Sequence, residues 1–207
     1  MKKIKVSEVF TSIQGESSYQ GIPFFFIRLS GCNLKCEYCD TKEIINKEIE
    51  YTIDELIKKV KISKLGHVQI TGGEPLLQVN AFFLIDTLVK NDLTVLVETN
   101  GSIDFSSLNK NAVVIMDIKT PSSGMEKHFD QKNLENLKVN DEIKFVIKDR
   151  EDYNWIKKKL SEYDLTENVI FSPVHGVLEP LTLANWIIED NLKVKLQIQL
   201  HKYLGLK

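Results

Sequence analysis

The chain has 207 residues, of which 43% are hydrophobic and 27% are charged, which is ordinary for one well-buried globular domain over residues 1–207. The formal net charge of −2 predicts no basic surface for nucleic acid or for an anionic membrane. The N-terminus lacks the apolar stretch of a signal peptide, and no apolar run is long enough to span a membrane.

Short apolar stretches alternate with helical patterns along the chain. Strands are predicted over residues 3–10, 23–29, 67–71, 93–99, 112–118, 142–147, 169–171 and 194–200, the first of which fits a sheet edge. Helices are predicted over residues 77–90, 151–163 and 181–190, and after Thr52, which has capping-box spacing to Glu55. Residues 11–21 are predicted as a loop and residues 122–133 as the least structured, mobile stretch. The alternation predicts an α/β fold with a mostly parallel sheet, in which candidate site residues follow the carboxyl ends of strands.

All three cysteines lie in one stretch with the spacing C-x-x-x-C-x-x-C. Cys32, Cys36 and Cys39 can therefore converge on one metal centre. A structural zinc site takes four ligands, whereas three cysteines on a four-iron cluster leave one iron free to bind a small molecule. Two alternatives stay open, namely three unligated thiols and a zinc site completed by one of the four histidines. Clustered thiols fit a reducing cytosol, so we expect a cytoplasmic protein.

The cysteine spacing, with Tyr38 just before the third cysteine, resembles the cluster loop of the radical S-adenosylmethionine (SAM) enzymes. Nearly the whole chain more narrowly resembles the 7-carboxy-7-deazaguanine synthases. Each motif behind this resemblance is weak, but their order and spacing together are specific. The motifs are Ser12-Ile13-Gln14-Gly15-Glu16, Arg28, Cys39-Asp40-Thr41, Thr71-Gly72-Gly73-Glu74-Pro75, Glu98-Thr99-Asn100-Gly101 and His201-Lys202-Tyr203-Leu204. The chain departs from the family pattern at Ser17, where glycine is usual, and in ending with Lys207.

The resemblance implies a partial (β/α)6, TIM-like barrel of the radical SAM type, which periodicity alone does not separate from a doubly wound sheet. It also implies a [4Fe-4S] cluster on the three cysteines, SAM on the open iron, and Mg²⁺ on the hydroxyl of Thr41. The implied partners are a small-molecule pterin substrate, an electron donor such as flavodoxin or ferredoxin, and a second copy of the chain in a homodimer.

Further site residues follow from the resemblance, motif by motif, and no side chain is assigned as a catalytic acid or base. The expected SAM-binding residues are Tyr38, Gly73, Glu74, Glu98, Asn100, Asp117, Lys119, Ser172 and His175. The expected substrate-binding residues are Ile13, Gln14, Gly15, Glu16, Arg28, Thr71 and Lys207. Simpler interpretations stay open for several of them: a structural ion pair for Arg28, a turn residue for Thr41, and a solvated surface charge for Lys119.

The implied activity is that of a lyase that converts 6-carboxy-5,6,7,8-tetrahydropterin to 7-carboxy-7-deazaguanine with loss of ammonia, in queuosine-type biosynthesis. Reductive cleavage of SAM would give an adenosyl radical that abstracts hydrogen at C6 of the pterin and later recovers it, so that SAM acts as a cofactor. One alternative is a radical SAM activase of a glycyl radical enzyme, which would not need Gln14, Arg28 and Thr41 together. Another is a zinc-stabilised binding module without catalysis.

Overall fold

One nine-stranded sheet organises the protein, and the computed structural model describes residues 2–165 and 168–207. The strands are β1 (Lys3–Ile13), β2 (Pro23–Leu29), β3 (Ile49–Thr52), β4 (His67–Gly72), β5 (Thr94–Thr99), β6 (Val113–Asp117), β7 (Glu142–Ile147), β8 (Val169–Pro173) and β9 (Lys195–Leu196). The helices are α1 (Ile53–Ser63), α2 (Val79–Val89), α3 (Arg150–Glu162), α4 (Pro180–Glu189) and α5 (Leu200–Leu204). Short 3-10 segments lie at Pro75–Leu77, Pro121–Ser123 and Gln131–Asn136.

The sheet has the strand order β3-β1-β2-β4-β5-β6-β7-β8-β9. All neighbours from β2 to β9 pair in parallel, whereas β1 is antiparallel to both β2 and β3. Within the described ranges β3 and β9 pair on one side only, so the sheet is open. This architecture confirms the expected mostly parallel α/β fold and its partial barrel.

Strand β2 shows why the sheet is buried on both faces. Phe25, Ile27 and Leu29 join the large core between the sheet and the helices. Phe24 and Phe26 alternate with them and join a second apolar cluster, to which β5 and β6 contribute one buried residue each. A continuous apolar run is the sequence signature of a parallel strand covered on both sides. The second cluster forms the floor of the barrel interior.

Helix α1 begins as the sequence predicts. The Thr52 side chain accepts a hydrogen bond from the backbone of Glu55, and the Glu55 side chain accepts one from the backbone of Thr52 at 2.8 Å. This reciprocal capping box satisfies backbone donors that a helix start leaves without partners. The inward face of the helix consists of Ile53, Leu56, Ile57 and Val60.

The first strand differs from its prediction in length and in position. It extends to Ile13, so residues 11–13 are strand rather than loop. It is not a sheet edge, because β3 pairs with it from Lys3 opposite Thr52 to Val6 opposite Ile49. Three of the four residues of β3, Ile49, Tyr51 and Thr52, favour strands, but the segment is too short and too exposed to give a clear strand pattern.

The last predicted strand was too long. Of residues 194–200, only Lys195–Leu196 form a strand. Leu200 already belongs to α5, and its backbone N–H donates to the carbonyl of Gly15 at 3.0 Å.

Residues 122–133 contain no α-helix and no strand, as expected for the least structured stretch. Two 3-10 segments overlap its ends. The buried side chain of Asn133 donates to the carbonyls of Gly101 and Ile103, both at 2.9 Å, and so ties one end of the stretch to the segment after β5. The mobility of the stretch stays a prediction.

Across the described residues, no helix combines the length and apolarity that a bilayer crossing requires.

Candidate active site

A cavity of about 320 Å³ opens at the carboxyl ends of the parallel strands. Sites in open and barrel-shaped parallel sheets form at this edge. Every site residue expected from the sequence lines the cavity except Glu74 and Ser172. Those that line it are Ile13, Gln14, Gly15, Glu16, Arg28, Cys32, Cys36, Tyr38, Cys39, Thr41, Thr71, Gly73, Glu98, Asn100, Asp117, Lys119, His175 and Lys207.

The three thiols share one wall of this cavity and form no disulfide. Burial raises the pKa of the Cys32 and Cys36 thiols, so both favour the protonated form when no metal is bound. In the described part of the chain, no three His, Cys, Asp or Glu side chains converge on a position for a single metal ion. The thiolates that hold a four-iron cluster bind the separate irons of that cluster instead.

Hydrogen bonds to neighbouring strand ends hold the cysteine loop. Asn33, inside the loop, donates to the hydroxyl of Ser102 at 2.8 Å and accepts from the Asn100 side chain at 3.1 Å. The backbone N–H of Glu37 donates to the carbonyl of Ser123 at 3.1 Å. The loop that carries the thiols is therefore fixed to the segments that follow β5 and β6.

The glycine edge that follows β4 lies directly against the cysteine loop. A Cβ atom at Gly73 would overlap the carbonyl oxygen of Gly31 and lie 2.5 Å from the Cβ of Cys32. Gly72 has φ +150°, and a Cβ there would lie 2.8 Å from the backbone nitrogen of Leu29. Only glycine fits such positions, and a bare backbone allows a ligand to approach closely.

Glu74 and Ser172 lie behind the cavity wall. The Glu74 carboxylate is fully buried and accepts hydrogen bonds from the backbone N–H of Leu76 at 3.0 Å, from that of Asn100 at 2.7 Å and from the Thr99 hydroxyl at 2.9 Å. Burial raises the pKa of Glu74. The hydroxyl of Ser172 donates to the carbonyl of Gln197 at 2.9 Å. Both side chains therefore support the ends of neighbouring strands.

Two aromatic residues contribute to the wall. The ring of Tyr38 lines the cavity, while its hydroxyl lies 2.9 Å from that of Thr120. Burial raises the pKa of Tyr38 to about 12, so the hydroxyl stays neutral at physiological pH. His175 packs edge to face against Tyr203 of α5, with ring centroids 5.2 Å apart.

A buried lysine that sequence reasoning missed lies at the centre of the charged wall. The Nζ atom of Lys144, in β7, is 2.5 Å from Glu16, 2.5 Å from Glu98 and 3.1 Å from Asp117. The strand pattern could have identified this lysine. Side chains alternate between the two faces of β7, so Lys144 lies on the same face as Val146, which lines the cavity. Gln69 also lines the cavity, and the same alternation marks it, since it lies two residues before Thr71 in β4. Gln199 lines the cavity too, but no sequence pattern marks it.

Asp117 and Lys119 form a second, partly buried ion pair at the end of β6. The Nζ atom of Lys119 lies 3.1 Å from Oδ1 of Asp117. Burial by itself would lower the pKa of Lys119, but Asp117 together with Cys36 and Tyr38 outweighs it and raises the pKa. Among the described residues, nothing makes a hydrogen bond of good geometry to Oδ1 of Asp117, although this oxygen is buried. A buried acceptor of this kind suits a ligand that brings a hydrogen-bond donor.

On the opposite side, polar residues of β1 and β2 face the cavity. The Gln14 amide donates to Gln69 at 3.0 Å and its oxygen accepts from the backbone N–H of Glu16 at 3.2 Å. Arg28 forms an ion pair with Glu8, with 3.0 Å between Nε and Oε1, and it also lines the cavity. Arg28 therefore forms a structural ion pair and also lines the cavity.

The C-terminal residues cover the mouth of the cavity. The Lys207 carbonyl oxygen accepts from the hydroxyl of Ser12 at 2.9 Å, and its Nζ lies 2.5 Å from Glu8. Lys202 of α5 forms an ion pair with Asp40, which follows Cys39. The ring of His201 packs against Gly15, where a Cβ atom would overlap it. The tail thus contacts both the cysteine loop and the first strand.

These residues fit a [4Fe-4S] cluster and SAM. The three thiols are soft donors on one wall, beside a glycine edge that a side chain would block. Oδ1 of Asp117 lies near Lys119 but accepts no hydrogen bond of good geometry from the described residues, so it can still accept one from an ammonium or hydroxyl group, and SAM carries both.

Comparisons with known proteins agree with this geometry. The profile of the radical SAM superfamily matches residues 26–158. The chain is 40% identical to a 7-carboxy-7-deazaguanine synthase of Chlorobaculum tepidum over 97% of this chain and 94% of the relative. It is 38% identical to one of Koribacter versatilis over 97% of this chain and 96% of the relative. The crystal structure of QueE from Escherichia coli superposes with a TM-score of 0.77 at 25% identity, covering 96% of this chain and 95% of that one.

The chain is similar to these synthases over nearly its full length, and its cavity brings together the thiols, the glycine edge and the charged strand ends. The chain therefore belongs to the 7-carboxy-7-deazaguanine synthase family of radical SAM enzymes.

Proposed function

We propose that the chain converts 6-carboxy-5,6,7,8-tetrahydropterin to 7-carboxy-7-deazaguanine with loss of ammonia, in queuosine-type 7-deazapurine biosynthesis. The observation that carries the proposal is the cavity in which the cysteine loop, the glycine edge and polar residues of the parallel strands meet. Membership of the family supports the choice of substrate. When bound, the cluster and SAM supply a carbon radical that takes a hydrogen atom from C6 of the pterin.

The SAM side of the cavity is proposed along the cysteine loop. Cys32, Cys36 and Cys39 would ligate the cluster, and the backbone of Gly73 would accept the amino group of SAM. The other residues proposed to contact or support SAM are Tyr38, Glu74, Glu98, Asn100, Asp117, Lys119, Ser172 and His175. All of them except Glu74 and Ser172 line the cavity, which supports this assignment.

The substrate side is proposed along β1 and β2. Gln14 carries a donor and an acceptor and can read the edge of a pterin, while Arg28 can bind a carboxylate. The Thr41 hydroxyl is a hard oxygen donor that suits Mg²⁺, with substrate and water completing the shell. Ile13, Gly15, Glu16, Thr71 and Lys207 are proposed to complete the pocket. Residues from α5 onward would exclude water, since they already cover its mouth.

The proposal extends to the setting of the enzyme. A reduced cluster requires an electron donor such as flavodoxin or ferredoxin, and free thiols suit the cytoplasm. The family resemblance supports a homodimer, and the continuous sheet supports one radical SAM domain over residues 1–207.

An anaerobic turnover assay tests the proposal. Protein with a reconstituted cluster is mixed with reductant, SAM, Mg²⁺ and 6-carboxytetrahydropterin, and the deazaguanine product is followed by mass spectrometry. We expect many product molecules per SAM consumed. Cleavage of SAM without deazaguanine would contradict the substrate and favour an activase. A matched Cys36→Ser variant should lose both SAM cleavage and product formation.

A further inference from the structure

One buried ammonium group joins four separate elements at the cavity wall. Lys144 lies in β7, and its side chain is 3% exposed. Its Nζ atom contacts Glu16 in the loop after β1, Glu98 in β5 and Asp117 in β6. An ammonium group carries three hydrogens, and three carboxylates surround this one. A single cation therefore organises three anions that come from distant parts of the sequence.

The carboxylates of Glu16 and Glu98 are each held at both oxygens. Oε2 of Glu16 accepts from Lys144, while its Oε1 accepts from the Gln199 amide at 2.6 Å. Oε1 of Glu98 accepts from Lys144 and its Oε2 from the Thr71 hydroxyl at 3.0 Å. Contacts at both oxygens fix the plane of a carboxylate as well as its position, and Lys144 is the partner that both carboxylates share.

Lys144 and Glu98 are both charged at neutral pH. Burial alone would lower the pKa of Lys144, but the carboxylates of Asp117, Glu16 and Glu98 outweigh it and hold the pKa well above its usual value. Burial would likewise raise the pKa of Glu98, but Lys144 lowers it to about 2. Without the ammonium group, the three carboxylates would repel one another, move apart or take up protons.

We propose that Lys144 is a positioning residue for both ligands, because its ammonium group fixes Glu16 towards the pterin and Glu98 towards the ribose of SAM before either ligand arrives. This inference rests on the proposed function, which puts these two carboxylates on the substrate side and on the SAM side. Side chains that are already fixed in the free protein lose no conformational entropy when a ligand binds, so binding is tighter. Lys144 itself acts through its partners and not on the reacting atoms.

Three substitutions test the proposal on cluster-loaded protein. Lys144→Met keeps the shape and removes the charge, Lys144→Gln keeps hydrogen-bond donors only, and Lys144→Arg keeps the charge. The control is Lys138→Met, since Lys138 also pairs with a carboxylate, Asp141 at 3.2 Å, but lies outside the cavity lining. Anaerobic calorimetry measures the Kd of SAM and of 6-carboxytetrahydropterin separately, and thermal unfolding gives Tm.

We expect Lys144→Met to raise both Kd values by about tenfold or more, the scale of one lost buried charge contact, with a smaller rise in Lys144→Arg. Unchanged Kd values in folded Lys144→Met, or an equal rise in Lys138→Met, would overturn the proposal. If none of the three Lys144 variants folds, Lys144 is a structural residue and the proposal also falls. Failure of the wild-type chain to bind the pterin would instead contradict the proposed substrate, and SAM binding alone would then test Lys144.

Discussion

The backbone of Gly73 lies so close to Cys32 that a Cβ atom on the glycine would stand 2.5 Å from the Cβ of the cysteine. The same region is tied by a hydrogen bond of 3.0 Å from the backbone N–H of Glu74 to the carbonyl of Gly31. The glycine edge and the cysteine loop thus form one contact surface, and a change in either one displaces the other. The thiols depend on Gly73 for their position.

We therefore expect Gly73→Ala to push the cysteine loop away and to impair cluster assembly. Overpacking of this kind costs about 1–3 kcal/mol of unfolding free energy. Iron and acid-labile sulfide per chain, measured after anaerobic reconstitution, should fall together with SAM affinity. Gly66→Ala is the matched control, since a Cβ there meets nothing within 4 Å, and its effect should stay within about 0.5 kcal/mol. Wild-type iron content in Gly73→Ala would contradict the prediction.

Glu74→Gln should destabilise the protein more than it weakens SAM binding. The carboxylate accepts three hydrogen bonds from donors, and a glutamine amide would present N–H groups to some of those donors. Leaving a buried donor unsatisfied costs about 1–3 kcal/mol, which denaturant unfolding can measure. Glu135→Gln, at an exposed position, serves as the control. A large loss of SAM affinity at unchanged stability would instead mean that the Glu74 side chain contacts SAM.

The ring and the hydroxyl of Tyr38 should have separable effects. Tyr38→Phe keeps the ring at the cavity and removes the hydroxyl contact to Thr120, so it should cost about 0.5–1.5 kcal/mol in stability and leave SAM affinity near wild type. Tyr38→Ala removes the ring and should weaken SAM binding by roughly tenfold through lost packing. Equilibrium binding of SAM to both variants checks this, and equal affinities would refute a role for the ring.

Protonation of His201 in mild acid should destabilise the folded state, in which the tail covers the cavity. Burial lowers the pKa of His201, so the unfolded chain takes up a proton near pH 6.5 while the folded chain does so only at lower pH. The unfolded state then binds more protons, and stability falls as the pH drops below about 6.5. Tm measured from pH 8 to pH 5 should therefore decrease less in His201→Gln than in the wild type. Parallel curves for the two proteins would count against this prediction.

Removal of the Thr41 hydroxyl should reduce the response to Mg²⁺. In Thr41→Val the half-saturating Mg²⁺ concentration for turnover should rise roughly tenfold, as for a lost contact to a bound metal, whereas Thr41→Ser should stay near wild type. Rates are measured after EDTA treatment and titration with Mg²⁺. Thr87→Val is the control, because Thr87 is on α2 and bonds only locally, to the carbonyl of Phe83 at 2.7 Å. An unchanged titration in Thr41→Val would exclude the hydroxyl as a ligand.

Sequence patterns predicted those parts of the fold that depend on local chemistry. The apolar run of β2 and the capping box at Thr52 and Glu55 are both local, and both were found. The motifs that carry the resemblance also come together around one cavity, because they follow the ends of parallel strands. Strand β3 was missed because four residues are too few to give a periodic pattern, and only their pairing with β1 shows that they form a strand.

Other features depend on contacts that no local pattern encodes. Lys144 has a polar side chain between apolar neighbours in β7, but its partners come from three other elements. Gln199 bonds to Glu16 across 183 positions, at the point where the predicted last strand has already ended. Periodicity shows which face a residue occupies, whereas its partner depends on how distant segments meet.

The tail contacts join the first and last parts of the chain, since Lys207 reaches Glu8 across 199 positions. Residues Gln199, His201, Lys202 and Lys207 also line the cavity, so the same contacts that hold the tail close the space in which the thiols lie. A bulky group attached at Lys207 that pulled the tail aside would therefore expose the cysteine loop to solvent, although it would touch no residue of that loop.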